Sequence, residues 1–254
     1  MFGGREERIR MNDQAASIAD QEEHALQTLL RAIAARDRRT MSRLLAEAPP
    51  LARMAIRVGA SHDEERTYYL QEIAHYTYAG DTPLHIAAAS YQRDIAEELV
   101  SSGANISARN RRGAEPLHYA ADGTPGSPSW NPDAQHAVVE FLIGAGADPN
   151  SEDKTGVAPL HRAVRTRCTP AVRALLSNGA DALRKNKGGS TPLHLAVQNT
   201  GRGGTGSAAS REQQTAIIQL LLSHGARPSD RNSAGRSVKD CVKAEWIHAL
   251  LRQP

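Results

Sequence analysis

Four histidines recur in one setting, and they are the first residues of this chain whose type and spacing could do chemistry. They close the segments Thr82-Pro83-Leu84-His85, Glu115-Pro116-Leu117-His118, Ala158-Pro159-Leu160-His161 and Thr191-Pro192-Leu193-His194. A group of imidazoles invites a metal site. Successive histidines are 33, 43 and 33 residues apart, however, and a repeat near that period marks stacked structural units. Stacking sets the four rings in a row, one unit apart, too far to share an ion at bond lengths of ~2 Å. A structural role is the better reading for His85, His118, His161 and His194. Gly201-x-Gly203-x-x-Gly206 has the form of a dinucleotide fingerprint, but it follows a helical segment and lies in no βαβ pattern, so it reads as a flexible linker. Cys168 beside Arg167 could be an activated thiol; in a helix–helix turn, with no partner legible in the sequence, a plain thiol is the default. No nucleophile–base–orienter set emerges. The sequence predicts no enzyme, no cofactor and no metal.

The elements that carry the motif repeat with it. In Asp81–Arg112, Thr82 suits a helix N-cap and Pro83 the first helical position. Leu84, Ala87 and Ala88 form a slim apolar stripe, and a second helix follows with Ile95, Leu99 and Val100 inward. Gly103 ends it, and a polar, turn-rich stretch leads to the next motif. Later second helices carry Val138, Val139, Leu142 and Ile143; Val172, Leu175 and Leu176; Ile217, Ile218, Leu221 and Leu222. Each closes on Gly-Ala, at Gly146, Gly179 and Gly225.

This grammar resembles the ankyrin repeat, with its Thr-Pro-Leu-His start and Leu-Leu, Gly-Ala-Asp close, from about Glu22 onward. The resemblance implies an all-α solenoid of stacked helix pairs with β-hairpin fingers and a concave face. It implies that the motif histidine is structural and that the array binds partners through helix and finger surfaces. The organisation read from the chain is a frayed polar lead-in (1–21) and an N-terminal cap pair (22–58). An enlarged finger (59–80) and repeats at 81–113, 114–156, 157–189 and 190–235 follow, with a C-terminal cap (236–254) in which Asp240 takes the histidine's place. Ala158 offers no side-chain acceptor, so its helix start should be weaker by about 1 kcal/mol.

Irregular lengths give the binding leads. Insertions at 123–132 and 200–209 separate the paired helices of the second and fourth units; they should leave the same edge roughly 20 Å apart. Trp130, among prolines in the first, either anchors a partner or folds back on its own helices. The enlarged finger carries Tyr68, Tyr69, Tyr76 and Tyr78, as a contact surface or as a shield for the join. The residues after each motif histidine (Ile86, Tyr119, Arg162, Leu195) are expected to point out of the core onto the concave face, with Arg165 and Gln198 a turn further. Finger charge alternates: net +2 over 105–115 (Arg109, Arg111 and Arg112 against Glu115), −2 over 148–158, +2 over 181–191 (with Lys185 and Lys187) and +2 over 227–237. The partner-binding candidates are therefore Tyr119, Arg162, Arg165, Trp130, Tyr69, Arg109, Arg111, Arg112, Lys185 and Lys187.

Composition narrows the classes. Net charge is +3, aromatics are 4% and apolar residues 40% of 254, which fits thin aliphatic helices better than a β-sandwich and gives no dedicated nucleic-acid or membrane binder. The two cysteines form no disulfide framework, and a reducing, cytoplasmic setting is expected. No apolar run approaches the roughly 20 residues of a membrane span. The expected partner is a protein, bound by a monomer. The rivals are an anionic-ligand or nucleic-acid binder using the basic fingers, and an enzyme with an unrecognised site near the inserted loops.

Overall fold

The computed structural model describes residues 3–60, 65–127, 130–198 and 207–252. The chain opens on α1 (Gly3–Ala34) and α2 (Arg38–Glu47). Residues 3–21, expected to fray, are the first turns of α1. Their extension follows from cooperativity: Leu26, Leu29, Leu30 and Ile33 are buried and fix the helix, after which each added residue gains a backbone hydrogen bond without a new nucleus.

Four helix pairs follow: α3 (Pro83–Ala89) and α4 (Arg93–Ser101), α5 (Pro116–Ala121) and α6 (Pro132–Gly144), α7 (Pro159–Thr166) and α8 (Thr169–Ser177), α9 (Pro192–Ala196) and α10 (Ala208–Ser223). The short α11 (Val238–Cys241) and α12 (Glu245–Leu250) close the array. First helices pack on first helices (α1, α3, α5, α7, α9, α11) and second on second (α4, α6, α8, α10). Each unit thus buries its apolar edge only against its neighbours. The motif leucines Leu84, Leu117, Leu160 and Leu193 are all fully or almost fully buried, worth about 2 kcal/mol each in removed apolar surface.

Two local devices repeat. Second helices end in a Schellman closure: Ala104, Ala147, Ala180 and Ala226 donate their N–H groups back to Leu99, Leu142, Leu175 and Leu221 at 2.9–3.1 Å, across glycines such as Gly103 at φ 86°. The helix–helix turns after α1, α3 and α7, which carry no insertion, put Arg36, Tyr91 and Arg167 in the left-handed region.

Strand pairing, expected in every finger, forms a two-stranded ladder among the described residues only in the enlarged one, where β1 (Tyr69–Leu70) pairs antiparallel with β2 (His75–Tyr76), and is reduced to a single antiparallel bridge, Arg231 with Ser237, in the last. The others are tight turns, each closed by two backbone bonds: Asn110 N–H donates to Ala114 O and Gly113 N–H back to Asn110 O, and the same two bonds recur over 153–157, 186–190 and 232–236. In each, the side-chain oxygen of the leading Asn or Asp accepts from backbone N–H groups further on, as these residues do in turns. Neighbouring fingers are also joined: Arg111 N–H donates to Ala79, Lys154 to Arg112 and Lys187 to Thr155, at 2.7–3.1 Å.

Candidate polar cleft at the fingers

The motif histidines come first, because their chemistry is fully assigned by geometry. Nδ1 of His85, His118, His161 and His194 accepts the backbone N–H of Thr82, Glu115, Ala158 and Thr191 at 3.1–3.3 Å. Nε2 then carries the proton and donates across the repeat boundary, to Ala114 O, Val157 O, Ser190 O and Arg236 O at 3.0–3.4 Å. Each ring caps its own helix and staples it to the next unit. Burial pushes all four pKa values down, His118 to about 3. In the C-terminal cap Asp240 Oδ2 accepts from Ser237 N–H at 2.8 Å, doing the histidine's work with a carboxylate.

The residues that follow two of these histidines are a correction to the sequence reading. Ile86 and Tyr119 do not face outward; both are buried. The enlarged finger folds down over this part of the stack, and the His75 ring meets Tyr119 edge-on with centroids 4.6 Å apart. The Tyr119 hydroxyl donates to the carboxylate of the fully buried Asp81 and accepts from Asn110 Nδ2, each at 2.9 Å. Asn110 Nδ2 and Tyr78 N–H complete the coordination of Asp81 at 2.9 and 2.7 Å. Burial, and then the Asp81 charge, hold the Tyr119 phenol far above its ordinary pKa.

Beside this network opens a cleft of about 490 Å³, built by three successive units. The enlarged finger gives His75 and Tyr78, the next finger and helix give Arg111, Arg112, Tyr119 and Asp122, and the third unit gives Asp153, Lys154, Arg162 and Arg165. Arg162 forms its wall. Its guanidinium donates to Asp122 Oδ2 at 2.9 Å and Asp153 Oδ2 at 3.3 Å, with 12% of the side chain exposed. Burial opposes its charge, but the two carboxylates outweigh that and raise its pKa. Arg165 reaches Asp122 at 3.7 Å. His75 is kept neutral by burial, and its Nε2 and Arg162 Nε are buried without a protein hydrogen-bond partner. At the rim the Arg112 and Arg111 guanidinium groups lie 4.0 and 5.2 Å from the Tyr78 ring centroid, and Arg111 also donates to Ala60 O.

Of the candidates named from sequence, Tyr119, Arg162, Arg165, Arg111 and Arg112 thus meet around one cleft. The others do not. Arg109 is tied to Glu115 at 2.9 Å; Lys185 and Lys187 are exposed one finger further on; Tyr69 is half-buried against Tyr76 at 4.8 Å. Trp130 is half-buried and donates its indole N–H to Gln135 Oε1 of its own helix pair at 2.9 Å. It lines a smaller cleft of about 260 Å³ shared with Ser207 and Gln213, so the first insertion and the helix that follows the second converge on one edge. The glycine-rich motif and residues 200–206 of the second insertion lie outside the described residues. Cys168 is buried, which pushes its thiol up to about 11, the reverse of activation. Sequence reasoning held Tyr78 only as one of the enlarged finger's four tyrosines and missed His75, Asp122 and Asp153 as parts of a site; the signal available for these was a polar residue, Asp122, directly after an Ala-Ala helix end.

Among the described residues no three His, Cys, Asp or Glu side chains gather as a metal-ligand group, and no helix is long and apolar enough to cross a membrane. A family model described as ankyrin repeats, three copies, matches residues 29–127 and 131–232, most of the chain. No curated protein matches it.

Proposed function

The chain belongs to the ankyrin-repeat family, and on that premise we propose that it is a non-enzymatic scaffold recognising a protein partner through its concave helix face and fingers. Ankyrin repeats are in general protein–protein interaction modules. The observation that carries the reading is the finger row. Arg111, Arg112, Lys154, Lys185 and Lys187 are exposed and make no ion pair among the described residues. They stand on a backbone whose fingers are bonded to one another. A fixed row of uncompensated charges costs self-repulsion and suits complementary charge on a partner.

The polar cleft also bears on the enzymatic alternative, since titratable groups converge there. Catalysis needs a group free to move a proton or attack. The Tyr119 hydroxyl is committed to Asp81, the Arg162 guanidinium to two carboxylates and the motif imidazoles to backbone carbonyls; the uncommitted His75 Nε2 is hydrogen-bonded, among the described residues, to no nucleophile it could activate, which supports the binding reading.

The test is affinity capture from native lysate. The wild-type chain is compared with a variant carrying Arg111→Glu, Arg112→Glu, Lys185→Glu and Lys187→Glu. A protein retained by the wild type and lost from the variant is expected. Nothing enriched over bare matrix would refute protein recognition, and equal recovery would remove the fingers from it.

A further inference from the structure

We propose that the cleft between the enlarged finger and the next two fingers is the docking site for an acidic peptide segment of the partner, one carboxylate side chain entering it. The proposal rests on the protein-recognition reading above and adds the chemistry of what is recognised. Five cations line the cleft (Arg111, Arg112, Lys154, Arg162 and Arg165) against two carboxylates, Asp122 and Asp153, a net of three positive charges with His75 neutral. The two carboxylates are used from within, by Arg162 at 2.9 and 3.3 Å and by Arg165 at 3.7 Å. The uncompensated charge is therefore that of Arg111, Arg112 and Lys154, all exposed at the rim.

These three cations are placed in advance. Arg112 lies over the Tyr78 ring and Arg111 is held both by that ring and by Ala60 O. Lys154 is fixed at its backbone by the bond to Arg112 O at 2.9 Å. Guanidinium groups held in this way lose little freedom on meeting a carboxylate. The walls are polar too, with the Arg162 and His75 nitrogens short of partners.

The same observations favour a peptide over a nucleic acid. A volume of about 490 Å³ holds side chains rather than a strand. A single-stranded nucleic acid is gripped by free aromatic faces along a continuous basic groove, whereas the rim aromatic, Tyr78, is already occupied by arginines. The basic rim also gives way to Asp148 and Glu152 in the adjacent finger, where net charge is −2 over 148–158.

The test uses the whole chain and three labelled probes followed by fluorescence anisotropy: an oligoglutamate peptide, its oligoglutamine counterpart and an oligothymidylate of the same length. Arg112→Glu with Lys154→Glu removes the rim cations; Arg93→Glu with Arg173→Glu removes as much charge from α4 and α8, outside the cleft and the finger row. All four side chains are exposed, and circular dichroism checks that both variants stay folded. Oligoglutamate is expected to bind in preference to oligoglutamine. The affinity should fall roughly tenfold or more in the rim variant, as two reversed exposed charges imply, and stay within about twofold in the other. The idea is overturned if oligoglutamate does not bind, if the two variants weaken it alike, or if oligothymidylate binds as well or better. Protein capture that survives the rim reversals would leave the scaffold reading standing and remove only this site.

Discussion

Acid should unfold this protein through its row of buried histidines, well before its carboxylates titrate. An imidazole that accepts an N–H at Nδ1 and donates from Nε2 has no room for a second proton: protonating Nδ1 sets two donors face to face and breaks the helix cap. His118 accordingly has its pKa pushed by burial from 6.5 to about 3, while the unfolded chain keeps the ordinary value. Between those values the unfolded state binds more protons than the folded one, so stability falls as pH falls from about 6.5 towards about 3. At about pH 5 the difference is about 1.5 pH units of linkage, or roughly 2 kcal/mol from His118 alone. His85, His161 and His194 shift in the same direction for the same reason and add to it. Against a total stability of about 5–15 kcal/mol this is a large fraction. Denaturant midpoints, measured near pH 7.5, 6 and 5, should drop steadily. In His118→Gln, whose amide cannot take the proton, the neutral-pH midpoint should be lower and the drop smaller by roughly 2 kcal/mol. A midpoint unchanged between about pH 7.5 and 5, or a His118→Gln variant with the full wild-type slope, would refute the reasoning.

Three further outcomes are expected. Ala158→Thr should raise stability by about 1 kcal/mol in a thermal or urea melt; Thr82 and Thr191 at the equivalent positions place their hydroxyls 2.9 and 2.8 Å from the histidine Nδ1, and no gain would disprove the cap assignment. Tyr119→Phe should cost about 2 kcal/mol, because the buried Asp81 loses its hydroxyl donor; a neutral result would mean that Asn110 and Tyr78 suffice. Gly189→Ala and Gly235→Ala separate strain from collision. Both residues have φ near +70° (71° and 72°), but a Cβ at Gly189 would sit 2.3 Å from the Ser233 nitrogen while one at Gly235 meets open space. Gly235→Ala should lose about 1 kcal/mol and Gly189→Ala clearly more, by equilibrium urea unfolding.

Everything set by contacts within about four residues, or repeated at the period of the units, was legible in the chain. The Thr-Pro-Leu-His starts and the Gly-Ala closures each satisfy backbone groups close in sequence, and their recurrence is what the family resemblance rests on. Asp240 could be read as the stand-in for histidine because a carboxylate at that spacing accepts the same N–H. The insertions and the enlarged finger were visible as breaks in the period, but the direction they take was not.

That direction decided the site. Whether Tyr119 faces solvent or core depends on where the strand pair of the enlarged finger folds down, a matter of packing between His75 and Tyr119, 44 positions apart, which no local pattern encodes. With His75 laid on its ring and Asp81 beneath its hydroxyl, Tyr119 becomes part of the wall instead of the contact surface. Arg162 changes role for a similar reason. Its sequence neighbours say only that it follows a capping histidine, and it is Asp122, 40 residues earlier, that turns it inward. The sequence thus determined the units and their order, because caps and stripes are short-range. The tertiary structure alone decided which charges remained unspent, because that depends on which opposite charges stacking brings within reach.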